Sequence, residues 1–216
     1  MLDIKRFEVN MLGENCYVVS DDTKECVIID CGAYNEKEFK DITDYISKNE
    51  LCPVRLIATH GHIDHNFGND MVLKEYGLKV EVHEHDRFLI NSMRQQAQMI
   101  FGSVDNISIP QSAAGRCFTE EDTICFGNHV FEIIPTPGHS PGSVFFYCKD
   151  EKVAFSGDTL FRGSIGRTDF IKGSMFQIIQ SLRMICQMDD DIKIYPGHGE
   201  ATSIGYECMT NMYRDR

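Results

Sequence analysis

Positive charge is scarce in this chain. Its 216 residues hold 21 Lys and Arg against 33 Asp and Glu, a net charge of −12 with histidine neutral. Nucleic acids are held largely by cations set against phosphates, so this balance argues against a nucleic-acid surface. Long apolar runs are missing too. No stretch approaches the roughly 20 residues of a membrane span, and Met1-Leu2-Asp3-Ile4-Lys5-Arg6-Phe7 lacks the apolar core of a secretory leader. The nine cysteines (16, 26, 31, 52, 117, 125, 148, 186 and 208) are odd in number and form no C-x-x-C pair. They read as reduced thiols, mostly buried in or near strands, and so as a cytoplasmic protein. Linkers, low-complexity tracts and obvious repeats are absent as well, so residues 1–216 are expected to fold as one domain.

What the chain does have is Thr59-His60-Gly61-His62-Ile63-Asp64-His65, four metal-ligand side chains within six residues. Imidazoles and a carboxylate this close gain little from packing, but together they suit a borderline-soft cation. The apolar run Arg55-Leu56-Ile57-Ala58 precedes the cluster and an amphipathic stretch from Asp64 to Tyr76 follows, which places it on a strand-to-helix loop. Gly61 is expected to let the chain bend so that His60 and His62 converge. Asp64 and His65, adjacent at the opening of the helix, point apart and suit a second metal.

Four further apolar runs also end in a turn carrying histidine or aspartate. Cys26 to Ile29 leads to Asp30. Val130 to Ile134 leads through Pro135-Thr136-Pro137-Gly138 to His139. Val153 to Phe155 leads to Asp158, and Ile192 to Tyr195 leads through Pro196-Gly197 to His198. If the runs are strands, their carboxyl ends gather these residues at one cleft. A buried polar core made of so many imidazoles and carboxylates would cost too much without counter-partners.

His60-x-His62-x-Asp64-His65, then His139, Asp158 and His198 in that order, resemble the metallo-β-lactamase superfamily along the whole chain. The resemblance implies a four-layer αββα sandwich. It also implies two divalent metals, zinc or a zinc and iron mixture. His60, His62 and His139 would hold the first, Asp64, His65 and His198 the second, with Asp158 bridging and Asp30 supporting the metal loop through hydrogen bonds. Gly157-Asp158-Thr159-Leu160-Phe161-Arg162-Gly163-Ser164-Ile165-Gly166-Arg167-Thr168-Asp169 and Pro196-Gly197-His198-Gly199 are similar to short glyoxalase II-like hydrolases. Secreted β-lactamases fit worse, since they carry a cysteine where this chain has Asp158.

The activity implied is hydrolysis of a small thioester such as S-lactoylglutathione. Two metals would lower the pKa of a bound water to roughly 7 and polarise the carbonyl. A thiolate, with a thiol pKa of about 8.5, leaves with little help from an acid. Asp64 is expected to accept a proton while ligating. Only residues 199–216 follow His198, so the C-terminal helical domain with which larger glyoxalase II enzymes bind glutathione is not expected. The Gly-Arg-Thr-Asp portion is similar to persulfide dioxygenases as well. There, one iron would be held by His60, His139 and Asp158. A non-catalytic binding protein that keeps the fold is the third class, and the intact ligand set argues against it. No residue pattern speaks to oligomeric state, and the expected partner is the small substrate alone, without nucleic acid or membrane.

The remaining residues have competing readings. Arg167 and Asp169 read equally as a surface ion pair and as substrate contacts beside Asp158. His83 and His85 alternate as ligands would, but Glu84-His85-Asp86 looks like a solvated helix start. His129 follows Gly127-Asn128 and is expected at the plain surface, and Cys31 as a small buried residue beneath the metal loop. Ile4 to Val9 and Cys16 to Ser20 predict a hairpin around Leu12 to Asn15. Asn35 with Glu38 predicts a helix start whose Phe39, Ile42 and Ile46 face inward. A helix from near Ser174 should bury Phe176, Ile179, Leu182 and Ile185. Leu89, Met93, Ala97 and Ile100 predict an amphipathic helix and Ser103 to Arg116 a loop. Together, Asp86 to Thr119 form either a surface excursion or a lid over the cleft.

Overall fold

The computed structural model describes residues 1–105 and 107–214; Asn106, inside the expected loop from Ser103 to Arg116, lies outside them. A first sheet holds six strands in chain order: β1 (Asp3–Val9), β2 (Glu14–Ser20), β3 (Glu25–Ile29), β4 (Cys52–Ile57), β5 (Val80–His83) and β6 (Cys117–Phe118). The other strands are β7 (Thr123–Phe126), β8 (His129–Pro135), β9 (Val144–Cys148), β10 (Val153–Gly157), β11 (Leu160–Phe161), β12 (Ser164–Ile165), β13 (Lys193–Pro196) and β14 (Thr202–Ser203). β11 and β12 pair as a small hairpin, and the rest form a second sheet in the order β14-β13-β10-β9-β8-β7. Both sheets are mixed. β3, β4, β5 and β6 run parallel, as do β10 and β13, while the hairpin-linked neighbours are antiparallel.

Strand alternation makes the layers. In β2, Tyr17 and Val19 face one side and Cys16 and Val18 the other, all buried, so this sheet needs cover on both faces. Three apolar clusters meet that need. Val18, Ile28 and Leu56 pack on Ile42 and Ile46 of α1 (Glu36–Lys48) and Val72 of α2 (Asn69–Tyr76). The same cluster takes in Ile90 of α3 (Arg87–Ile90) and Ala97 of α4 (Met93–Phe101). Between the sheets, Tyr17, Val27, Ile29 and Ile57 meet Phe131, Ile133, Phe146 and Phe155. On the far face, Phe145, Ala154 and Ile194 pack on Ile178, Leu182 and Ile185 of α5 (Met175–Ile185) and Ile204 of α6 (Ile204–Thr210). These are the three seams of an αββα sandwich. Each large side chain buried in them contributes about 1.5–3 kcal/mol. Among the described residues no helix is long and apolar enough to cross a membrane.

Several local expectations are corrected. Glu14 and Asn15 belong to β2 and not to the turn. Asn35 caps α1 as expected, accepting from the amides of Lys37 and Glu38. The Glu38 carboxylate, however, accepts from the amides of Tyr34 and Asn10. In α5, Ser174 caps the start, but Phe176 is 73% exposed and Ile178 is buried in its stead. Asp64 and His65 sit in a single 3-10 turn, Ile63–His65, ahead of α2. Cys186 and Cys208 are not free thiols. They form a disulfide, because α5 and α6 pack side by side and bring the Cα atoms within 5.7 Å.

Candidate metal centre

The carboxyl ends of β3, β4, β8, β10 and β13 lie at one end of the sandwich, where the two sheets are tied together. The Asn15 amide donates to the Gly197 carbonyl at 2.7 Å, Tyr17 Oη to the Pro196 carbonyl at 2.7 Å, and the Val144 amide to the Thr59 carbonyl at 3.0 Å. Asp30 leaves β3 in the left-handed backbone region, φ 54°, a conformation unusual for aspartate and tolerated where surroundings over-determine it. They do so here. Its buried carboxylate accepts from the Thr59 amide and hydroxyl, each at 2.7 Å, and from His65 Nδ1 at 3.1 Å.

The loop after β4 is held from below by residues the sequence reading passed over. Asp86, expected in a solvated helix start, is fully buried. Its carboxylate accepts from the Gly61 amide at 2.8 Å, the Gly142 amide at 2.7 Å and Ser140 Oγ at 2.6 Å, joining the His60 loop to the His139 loop. Asn66 donates to the carbonyls of His60 and His62, and Gln96 of α4 both receives the Ile63 amide and donates to the Gly61 carbonyl. Gly61 is needed for close approach and not for a bend, since a Cβ there would lie 2.7 Å from Leu89 Cβ and 2.9 Å from the Asp86 carbonyl oxygen. Side chains that reach across loops leave no local periodic signal.

All seven expected donors converge. One donor atom each from His60, His62 and His139 lies within 4.8 Å of the others, and so do those of His60, His65 and Asp158, and of Asp64, His65 and His198. Asp158 stands between the groups. Its Oδ1 is 3.2 Å from His65 Nε2, and its Oδ2 is 3.5 Å from His139 Nε2 and 3.7 Å from His198 Nε2. His198 Nε2 lies 3.4 Å from Asp64 Oδ2, and His62 Nδ1 faces His139 Nε2 at 2.7 Å.

Four imidazoles are oriented by what their Nδ1 atoms touch. His65 Nδ1 donates to Asp30, His139 Nδ1 to the Arg167 carbonyl at 2.7 Å and His198 Nδ1 to the Gly13 carbonyl at 3.2 Å. The Thr59 hydroxyl spends its only hydrogen on Asp30, so at 3.1 Å His60 Nδ1 is the donor to Thr59 Oγ1. Each ring thereby turns its Nε2 into the cluster, the orientation that metal-ligating histidines take. Protein contacts leave His60 Nε2, His65 Nε2 and Asp158 Oδ1 buried without a hydrogen-bond partner. Orphaned atoms of this kind are costly, and a cation between them removes the cost. The donor set, imidazole nitrogen with carboxylate oxygen, fits zinc or iron.

Titration preferences divide the cluster. Burial, with the neighbouring imidazoles, holds His60 well below the usual histidine range and brings His62 down to about 3, so both are neutral at pH 7. Burial would also lower His65, but Asp158, Asp64 and Asp30 outweigh it and raise it well above. For Asp158 burial works upward. His65, His198 and His139 win, and its carboxyl sits well below the usual carboxylate range.

A cleft of about 600 Å³ opens over the donors. Arg167 and Asp169 line it, pairing with each other through two contacts of 2.6 and 2.7 Å, and the guanidinium lies 4.3 Å from the Phe170 ring centre. α4 contributes Met99 and Ile100 to the wall, so the stretch from Asp86 to Thr119 is not a bare surface excursion. His83 is buried facing Glu120 at 3.5 Å, His85 is exposed, and neither joins a donor group among the described residues. Cys31 is buried under the loop as expected. His129 is not plain surface, being held between Asp21 at 2.8 Å and Glu151 at 3.1 Å. The buried Glu14, expected in a turn, has no hydrogen-bond partner for its oxygens and lies 3.7 Å from His65 Nδ1.

Residues 9–198 match the model of the metallo-beta-lactamase superfamily. The chain is 38% identical over 217 residues to hydroxyacylglutathione hydrolase GloC of Haemophilus influenzae, covering 98% of each chain. Among solved structures, the BLEG-1 B3 metallo-beta-lactamase superposes with a TM-score of 0.88 at 30% identity, covering 99% of both chains. The di-iron-bound form of TTHA1623 gives 0.82 at 30%, covering 97% of this chain and 99% of that one. This chain belongs to the metallo-β-lactamase superfamily.

Proposed function

We propose that this protein is a dinuclear metal hydrolase that cleaves small thioesters. The observation that carries the reading is the convergence of seven donors around buried atoms left without a partner. In this reading His60, His62 and His139 would hold one ion and Asp64, His65 and His198 the other, with Asp158 available to both. Zinc or a zinc and iron mixture is the proposed content. When bound, such ions acidify a water and polarise a carbonyl.

The side chains do the rest. Asp158 stays ionised and fixes His65 and His198 against each other. Asp64, which borders the cleft, receives the proton of the attacking water. The water oxygen bonds to the acyl carbon, the carbon–sulfur bond breaks, and the thiolate takes up the proton, leaving an acid and a free thiol. Arg167 borders the cleft that would take the substrate and, through its carbonyl, orients His139. The similarity to the Haemophilus hydroxyacylglutathione hydrolase makes S-lactoylglutathione the first compound to assay. The substrate is proposed as the only partner, since the acidic composition does not suit nucleic acid. The cytoplasm is proposed as the compartment on the seven cysteines that remain free, and the Cys186–Cys208 disulfide counts against it.

The test is a panel of small thioesters in anaerobic buffer, with metal counted by elemental analysis. Thiol release without oxygen, and two ions per chain, is the expected result. The competing reading places one ferrous iron on His60, His139 and Asp158. Oxygen uptake with glutathione persulfide, and no thiol release from any thioester, would establish that reading and end the hydrolase proposal.

A further inference from the structure

The wall of the cleft has a chemistry that the donors do not explain. Leu12, Met99 and Ile171 are 42%, 59% and 52% exposed around its mouth. Inside, Ile100 and Phe170 continue the apolar surface down to the donors, the Phe170 ring lying 4.8 Å from that of His62 and 5.8 Å from that of His139. Phe161 forms the opposite side, 6.0 Å from His198. The α4 part of this wall is anchored. Gln96, one turn before Met99 and Ile100, is buried and bonded to the Ile63 amide and the carbonyls of Gly61 and Leu89, which ties the helix to the metal loop. Among the residues lining the cleft Arg167 is the sole Lys or Arg, and Asp169 takes two of its N–H donors and offsets its charge. That aspartate offsets the guanidinium charge, so a substrate carboxylate gains little there, whereas an alkyl or aryl group gains simply by covering the exposed apolar surface.

We infer that the cleft selects its substrate by an apolar acyl group, a medium-length alkyl chain or an aryl ring lying on Met99, Ile100 and Phe170. Charged groups of the thiol portion contribute little. The inference rests on the thioester hydrolase reading and names the substrate class for that site.

Its test separates binding from turnover. Non-hydrolysable S-methyl and S-hexyl thioethers of N-acetylcysteamine and of glutathione are titrated calorimetrically into the metal-loaded protein. The hexyl compounds should bind at least about tenfold tighter than the methyl ones, the worth of about two fully buried methylene groups. Exchanging N-acetylcysteamine for glutathione should change affinity by less than about threefold, the scale of a screened surface charge contact. Met99→Ala, at an exposed position, and the double variant with Ile100→Ala should flatten the length dependence. Equal binding of methyl and hexyl compounds overturns the inference, as does a length dependence that survives in both variants. Acetyl and hexanoyl thioesters then test the hydrolase reading separately. If neither releases thiol while the hexyl thioethers still bind preferentially, the hydrolase reading fails and the apolar site stands. If both release thiol equally and the thioethers bind equally, the apolar site fails and the hydrolase reading stands.

Discussion

The floor of the cleft and its wall are built on opposite terms. On the floor, His60, His65, His139 and His198 are each fixed through Nδ1 by an oxygen of the protein, and the loops that carry them are pinned by the buried carboxylates of Asp30 and Asp86. On the wall, Leu12, Met99 and Ile171 stand in solvent, and Arg167 is held by a surface pair whose members are 61% and 67% exposed. Each polar group on the floor depends on several others, so a change there propagates into loop position and metal binding. A wall side chain can change without disturbing its neighbours. In the proposed hydrolase, chemistry would reside in the floor and selectivity in the wall, a division by which one fold can serve many substrates.

The strongest way to break this division is Asp158→Ala. It removes the one carboxylate among the described residues that faces His65, His139 and His198 together. Thiol release should fall at least about a thousandfold, the scale of losing metal-assisted stabilisation. Elemental analysis should find at least one ion fewer per chain. Circular dichroism should still show cooperative unfolding, because the three apolar seams do not include Asp158. Near-normal activity would show that the floor does not work through this residue.

Asp86→Ala comes next, and here the readout is stability. The substitution leaves the amides of Gly61 and Gly142 and the Ser140 hydroxyl without their acceptor. At about 1–3 kcal/mol for each buried group so orphaned, a loss of about 3–5 kcal/mol is expected. That is a fall in Tm of about 10 °C for a chain of this size, read by calorimetry, with weaker metal retention. A variant with native Tm and metal content but altered KM would place Asp86 with the wall.

Asp86 also shows where the sequence stops being legible. The donors could be read because each follows an apolar run and is of a residue type with one common use, and strand ends collect by topology alone. The seams could be read from alternation in the strands and spacing in the helices. Asp86 had the opposite surroundings. Between Glu84, His85 and Arg87 it looks solvated, and nothing local reveals that the Ser140–Gly142 loop closes over it. Glu14 is similar, since its strand pairing opposite His198 joins residues far apart in the chain. Phe176 differs by helical phase: the apolar stripe of α5 runs through Ile178, Leu182 and Ile185, and an aromatic at the helix start lies off that stripe. Cys186 follows the end of α5 and Cys208 lies in α6, and only the packing of these helices reveals them as partners.

The finest test of the division is Arg167→Ala, because this residue belongs to both regions. Its carbonyl receives Nδ1–H of His139 at 2.7 Å, a floor contact that alanine keeps. Its guanidinium pairs with Asp169 and lies over Phe170, wall contacts that alanine removes. An exposed pair contributes about 0–1 kcal/mol, so Tm should move by no more than about 2–4 °C, with metal content unchanged. Since Asp169 already occupies the guanidinium, a carboxylate-bearing thioester should lose little. KM should rise about two- to threefold with kcat constant, the signature of binding lost equally from substrate and transition state. Loss of metal would mean that the side chain, and not only the backbone, holds His139. A KM increase beyond about tenfold, confined to glutathione thioesters, would mean that the guanidinium leaves Asp169 for the substrate, and selectivity would then rest on charge.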